Sequence, residues 1–325
     1  MGVAPVMAYF DVFNGDADGM CALLQLRLAE PRDAQRITGL KREIALLQRV
    51  RAQAGDTVTV LDISLDANRA ALMSLLRRGV AVDYFDHHGS GAVLRHPALH
   101  ALIDLAPQTC TAMIVDRYLH GRYRRWAVVA AFGDNFAGSA RKLADTLALS
   151  GQQVAALQEL GECLNYNAYG DTAADPLLHP AALYAIVQRY DDPFRFMQAE
   201  PVFPMLRQAR RQDMALASQL EPYAQFAGGR IYLLPDAAWS RRVRGEFGNW
   251  LANARPQLAH AIATPNHALG YTVSVRAPLS DRRGARGLCV QFETGGGREA
   301  AAGITHLPCE RWPDFIYAFA RAFAR

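Results

Sequence analysis

Residues 80–88 read Val80-Ala81-Val82-Asp83-Tyr84-Phe85-Asp86-His87-His88. An apolar, β-prone run ends in three side chains that can each ligate a metal or handle a proton. The same arrangement occurs twice before it. MAYFDVF at 7–13 leads into Asn14-Gly15-Asp16-Ala17-Asp18-Gly19, and TVTVLDI at 57–63 carries Asp62-Ile63-Ser64. A fourth apolar segment, Trp126 to Phe132, precedes Gly133-Asp134-Asn135, and its pattern suits strand and helix equally. Helical spacing follows the runs at Cys21 to Ala29, Asn68 to Arg78 and Thr111 to Leu119. Strands alternating with helices predict βαβ units and a largely parallel sheet. Ligands of such sheets bind beyond the carboxyl ends of the strands, and all four acidic sites fall at or just past apolar segment ends.

The rest of the chain changes character. Roughly 140–225 reads as helices over Lys142 to Leu149, Gln152 to Leu164, Pro180 to Tyr190 and Met205 to Phe226. Pro193, Pro201 and Pro204 mark the change, and a junction is expected between about 190 and 227. From Gly228 short strands follow, at Gly229 to Pro235, His260 to Thr264 and Tyr271 to Val275, with a last helix over Trp312 to Phe323. A length of 325 residues favours two domains.

Composition narrows the function classes. Hydrophobic content of 51% and charged content of 20% describe a soluble globular chain. A net charge of +4 argues against wrapping long nucleic acid, which takes dense Lys/Arg clusters. Arg122-Tyr123-Arg124-Arg125 and Arg241-Arg242-Val243-Arg244 read as solvated faces, whereas Arg282, Arg283 and Arg286 suit an anionic ligand. The five cysteines lack CxxC spacing, so reduced thiols in the cytoplasm are expected rather than a disulfide framework or structural zinc. Met1 to Ala8 lacks the pattern of a signal peptide. No run of about 18 apolar residues appears, so no membrane span is expected.

The acids and histidines fit one chemistry. Two divalent cations about 3.5–4 Å apart can clamp the attacking and leaving oxygens of a displacement at phosphorus. Hard cations prefer carboxylate oxygen, and Mn²⁺ also accepts imidazole, so a mixed Asp/His set suits Mn²⁺ best. Asp16 and Asp18, two apart in a loop, can face different ions; Asp62 is placed to bridge; His87 and Asp134 complete the second ion. Such ions lower the pKa of water, so no protein nucleophile is required. Taken singly, each piece has a plainer reading: Asp-x-Asp-Gly is turn chemistry, and an acid after a strand is often a helix N-cap. The ordered set favours the metal site.

That ordered set, with Asp62-Ile63-Ser64, Asp86-His87-His88 and Gly133-Asp134, resembles the motifs of the DHH phosphoesterase superfamily. Gly295-Gly296-Gly297-Arg298-Glu299-Ala300-Ala301-Ala302-Gly303 resembles the glycine-rich signature of the DHHA1 domain, and Val273-Ser274-Val275-Arg276 its strand with a substrate-contacting arginine. The resemblance implies an α/β protein with a parallel-sheet DHH domain over 1–190, a helical linker over 191–227 and a smaller α/β DHHA1 domain over 228–325, with the active site in the interdomain cleft. It implies Asp16, Asp18, Asp62, His87 and Asp134 as metal ligands, His88 at the scissile phosphate and Asp86 behind the histidines. It implies Arg276, Gly295, Gly296, Gly297 and Arg298 as substrate contacts. Two positions depart from the family pattern: Val12 stands where many members have a histidine ligand, and Arg298 where the glycine loop continues into histidine.

Within the family, long-strand exonucleases carry a further nucleic-acid-binding fold, and pyrophosphatases lack the glycine-rich signature. The reading that remains is a soluble nanoRNase-like phosphodiesterase acting on linear dinucleotides of the pGpG or pApA type. One or two Mn²⁺ ions are the expected cofactor, with Mg²⁺ or Co²⁺ as substitutes. The alternatives are a single-strand exonuclease, a cyclic-dinucleotide phosphodiesterase, or a catalytically weakened nucleotide-binding module. The expected partner is a short nucleotide, with no long nucleic acid and no membrane; a homodimer stays open.

Overall fold

The computed structural model describes residues 7–92 and 94–324. The signal-peptide reading of Met1 to Ala8 rests mostly on residues 1–6, outside the described residues. The chain forms two compact units, 1–208 and 209–325.

The first unit begins with β1 (Tyr9–Phe13), α1 (Ala17–Ala29), β2 (Ala34–Ile37), β3 (Thr57–Leu61), α2 (Leu65–Arg77), β4 (Ala81–Asp86) and β5 (Leu99–Ile103). Helices α3 (Thr111–Tyr118), α4 (Arg124–Gly133), α5 (Ala137–Ala144), α6 (Gly151–Ala168), α7 (Pro180–Val187), α8 (Pro193–Ala199) and α9 (Val202–Ser218) follow. The sheet order is β2-β1-β3-β4-β5, and every pair is parallel. Both faces are covered. Phe13, Leu61 and Phe85 join the core beneath α1, α3, α4 and α6, while Phe10, Val12, Val58, Val60, Val82 and Tyr84 join a second core with α2. Two buried faces explain why the strands read as continuous apolar runs rather than alternating ones.

The strand order places the site. The connection after β1 runs outward to β2, whereas β3 lies on the other side of β1 and leads to β4 and β5. The carboxyl ends of β1 and β3 therefore flank the crevice where the winding reverses. Register aligns Phe13 with Leu61 and Leu61 with Phe85. Asp16, Asp62 and Asp86–His88, which follow these residues, share one edge of the sheet.

The second unit has a six-stranded sheet of β6 (Ala224–Phe226), β7 (Gly229–Leu233), β8 (Ala259–Asn266), β9 (Gly270–Arg276), β10 (Gly295–Gly297) and β11 (Ala301–Pro308), in the order β10-β11-β9-β8-β7-β6. Only β7 and β8 pair in parallel, joined by α10 (Ala238–Ala254). Helices α11 (Ala285–Cys289) and α12 (Trp312–Ala322) cover the face holding Ala261, Val273, Val275 and Ile304. His260 faces the other way and is fully buried. Burial pushes its pKa down from 6.5 to about 4. The unfolded chain therefore binds this proton first, and stability falls as pH drops from about 6.5 towards 4. By pH 4 the loss should reach about 3 kcal/mol. Urea unfolding across that range should show the slope in the wild type and its loss in His260→Leu.

Several expectations are corrected. The choice left open for Trp126 to Phe132 falls to helix, because the segment is buried all round among α1, α3 and α6. The helix expected over Met205 to Phe226 stops at Ser218, and Ala224–Phe226 is an edge strand paired with β7. The helix expected over Lys142 to Leu149 instead ends at Ala144 and tightens into one 3₁₀ turn. Short β2 and β5 carry no long apolar run and α10 is largely polar, so none announces itself in the sequence. The run at 241–244 is not a solvated face: Arg241 is 7% exposed and bonded to Asp236 at 2.5 Å, and Arg242 pairs with Asp213 at 2.8 Å. Five cysteines form no disulfide among the described residues, and no helix there is long and apolar enough to cross a membrane.

Candidate metal centre

His87 stands at the middle of the site. Its Nδ1 lies 2.8 Å from the carbonyl oxygen of Thr109. A carbonyl only accepts, so Nδ1 carries a proton and Nε2 is the ring atom turned inward. Three carboxylates face that atom: Asp62 Oδ1 at 3.4 Å, Asp134 Oδ2 at 3.7 Å and Asp18 Oδ2 at 3.9 Å. His88 stacks beside it with ring centroids 4.3 Å apart, and Asp86 holds its Nδ1 at 2.7 Å. Among the described residues two groups have ligand atoms close enough to share an ion, Asp18/His87/Asp134 and Asp62/His87/His88.

Each acid is fixed from behind. The amides of Thr111 and Ala112, at the N-terminus of α3, donate to the two oxygens of Asp18 at 2.7 Å each. The Thr111 hydroxyl donates to Asp62 Oδ1 at 3.1 Å. Asp62 has φ of 59°, a left-handed conformation costly for a residue with a Cβ. Asn135, next to Asp134, has φ of 65°. Asp134 caps the C-terminal end of α4, where the helix dipole disfavours a carboxylate unless a cation faces it.

Asp16 stands apart from both groups. Its Oδ1 accepts the amides of Asp18 and Gly19 at 3.0 and 3.1 Å, so it also serves as the N-cap of α1. Its Oδ2 accepts from Lys41 Nζ at 2.6 Å. The same ammonium reaches Asp134 Oδ1 at 3.0 Å and Asn165 Oδ1 at 3.1 Å.

Burial pushes the Asp62 carboxyl well above the usual carboxylate range, and the charges of Asp18, Asp16, Asp134 and Asp86 add to this. Burial raises Asp18 too, with Asp134 and Asp16 adding and His87 opposing. Asp16 lies below the usual range because Lys41 outweighs its burial. So much negative charge in a dry site calls for a cation. Carboxylate oxygens with one imidazole nitrogen fit Mn²⁺, Mg²⁺ or Co²⁺ and not a soft-ligand site. Burial beside Asp18 raises the Cys110 thiol well above its ordinary value, which excludes it as a nucleophile.

The substrate residues implied by the resemblance lie in the second unit. Arg276 Nε donates to Asn249 at 2.7 Å and Nη1 to Ser274 at 2.8 Å, which orients the guanidinium against α10. Gly295–Gly297, expected as a loop, is the edge strand β10 paired with β11, because Gly297 at φ of 133° and the Arg298–Ala301 turn fold it back as a hairpin. Arg298 is exposed, as are Arg282 and Arg286, while Arg283 is engaged by Asp281 at 2.7 Å.

Lys41, Thr109, Thr111 and Asn165 are site residues with no motif around them. For Lys41 a compositional signal exists: of 35 basic residues only Lys41 and Lys142 are lysine.

No protein-family profile and no curated protein matches the chain. Solved structures do. A manganese-bound exonuclease RecJ aligns over 98% of this chain and 90% of its own, with a TM-score of 0.64 at 17% identity. RecJ of Thermus thermophilus in complex with Mn²⁺ aligns with a TM-score of 0.58 at 18% identity, and this chain spans 52% of it. The pGpG-specific phosphodiesterase PggH of Vibrio cholerae aligns over 97% of this chain and 98% of its own, with a TM-score of 0.57 at 13% identity. The chain has the two-part α/β fold of these proteins, a unit built on a five-stranded parallel sheet followed by a unit built on a six-stranded mixed sheet.

Proposed function

We propose that this protein is a metal-dependent phosphodiesterase that hydrolyses linear dinucleotides or very short oligoribonucleotides to mononucleotides. The observation that carries the reading is the convergence of Asp18, Asp62 and Asp134 on the inward-facing Nε2 of His87. A divalent cation bound there supplies charge stabilisation at phosphorus and acidifies water. His88 works beside it. Asp86 holds its Nδ1, and that hydrogen bond outweighs burial to raise its pKa. In its protonated form the ring presents Nε2–H to a phosphate oxygen or the departing alkoxide. Arg276, oriented by Asn249 and Ser274, contacts a phosphate of the substrate. Arg298 and the exposed edge of the hairpin carrying Gly295, Gly296 and Gly297 hold the remaining anionic end. In this reading chemistry belongs to 1–190, substrate choice to 228–325, and the link over 191–227 is helical as far as Ser218 and ends in the edge strand β6, with a cytoplasmic location and Mn²⁺ as the preferred ion.

The short substrate is supported by the likeness to the pGpG-specific enzyme, which aligns over 97% of this chain and 98% of its own. Single-strand exonuclease activity is the second reading, supported by the higher TM-score of the manganese-bound RecJ.

Purified protein with Mn²⁺ should be offered 5′-phosphorylated dinucleotides, an oligonucleotide length series, cyclic dinucleotides and pyrophosphate. Dinucleotides should be cleaved fastest, giving two mononucleotides. Faster cleavage of long single strands would select the exonuclease reading. Nucleotide binding without turnover in Mn²⁺, Mg²⁺ or Co²⁺ would select a binding module.

A further inference from the structure

The acids at the edge of the first sheet converge on two points, the Nε2 of His87 and the ammonium of Lys41, and the second is a cation belonging to the chain. We infer that Lys41 occupies the position of one ion of a two-ion centre, so that the protein binds a single divalent cation through Asp18, Asp62, His87 and Asp134. This rests on the metal-dependent reading above.

The evidence is the way the oxygens divide. Asp134 bridges two positions, with Oδ1 at 3.0 Å from Lys41 Nζ and Oδ2 at 3.7 Å from His87 Nε2. Both Asp16 oxygens are turned away from His87: one accepts two backbone amides and the other accepts from Lys41 at 2.6 Å. Neither ligand group among the described residues includes Asp16. Asn165 adds a third oxygen at 3.1 Å, so the ammonium sits within an all-oxygen shell of the kind a hard cation prefers.

The placement is built into the fold. The Lys41 amide donates to the Ala168 carbonyl at 3.0 Å, and Asn14 Nδ2 donates to the Lys41 carbonyl at 3.3 Å. A Cβ on Gly15 would lie 2.1 Å from the Gly39 carbonyl oxygen, so the segment carrying Lys41 rests directly on the loop carrying Asp16. Val12, fully buried in the apolar core, offers no ligand to this position. The choice of lysine in a chain that otherwise uses arginine almost throughout also fits. Three oxygens around one point are matched by a compact ammonium with three donors, not by a planar fork.

The test counts ions. Chelated full-length protein is reloaded with Mn²⁺, bound metal is measured after equilibrium dialysis, and the spin state is read by electron paramagnetic resonance. The wild type should hold one ion per chain with the spectrum of an isolated Mn²⁺. Lys41→Ala should hold two, with the spectrum of a coupled pair, because Asp16 Oδ2, Asp134 Oδ1 and Asn165 Oδ1 then become ligands. Two coupled ions in the wild type, or one ion in a folded Lys41→Ala, would overturn the inference. Should the variant not fold, the wild-type count and spectrum decide alone. A wild type that binds no Mn²⁺ would instead remove the metal-dependent reading itself.

Discussion

His87→Ala should lower dinucleotide hydrolysis at least about a thousandfold and abolish tight Mn²⁺ binding, while leaving the unfolding midpoint close to that of the wild type. His87 supplies the nitrogen at the centre of the ligand set, and its ring is held ready by the Thr109 carbonyl. Metal assistance is worth several kcal/mol at phosphorus, and each 1.36 kcal/mol is tenfold in rate. Losing the nitrogen leaves Asp18, Asp62 and Asp134 as buried acids with less to bind. His88→Ala is the contrasting variant. Its ring is 37% exposed and its Nδ1 is spent on Asp86, so ion binding should survive while turnover falls. Hydrolysis by His87→Ala within tenfold of the wild type at saturating Mn²⁺ would remove His87 from the centre of the site.

Gly161→Ala should destabilise the first unit by about 3 kcal/mol, although helix propensity alone predicts the opposite. Alanine in the middle of a helix is favoured over glycine by about 1 kcal/mol. Gly161 lies in α6 where it crosses α4, and a Cβ there would stand 2.1 Å from the Val129 carbonyl oxygen. Backbone cannot give way as a flexible side chain does, so the helices must separate, and overpacking of this kind costs about 1–3 kcal/mol or more. Gly133 completes the crossing from α4, its own added Cβ falling 2.8 Å from the Gly161 carbonyl oxygen. Asp134 follows Gly133, and Asn165 lies one helical turn after Gly161. The close crossing therefore also sets the oxygens around Lys41. Urea unfolding should show the loss, and a variant as stable as the wild type would mean that the crossing tolerates a wider spacing.

Much of the first sheet was legible because its chemistry is local. A run of β-branched residues such as Thr57 to Leu61 forms a strand wherever both of its faces are covered, and the acids that follow each run needed only the parallel order to share an edge. The fourth segment was not legible in this way. Trp126 to Phe132 is apolar on every side, and periodicity cannot separate a buried helix from a buried strand; only its packing against α1 and α6 decides. Strands β2 and β5 escape for the opposite reason, since short edge strands at 34–37 and 99–103 need little apolar character. The same applies to the arginines at 241–244, whose burial depends on acids at 236 and 213 brought to them by the fold.

By itself the sequence determined the ligand inventory on which the proposed reaction rests, because acids and imidazoles at strand ends are gathered at one edge by any parallel winding. It also determined the α/β class, because alternating apolar runs and helical spacings admit little else. The tertiary structure alone decided how the charges are shared. Asp16 and Asp18 are neighbours in one motif, yet one turns to an ammonium and the other to His87. Lys41, 25 residues away, reaches Asp16 only because the loop at 39–41 packs on the loop at 14–16. Which oxygen meets which cation is a matter of a few ångströms, and those distances are set by close packing between segments far apart in the chain.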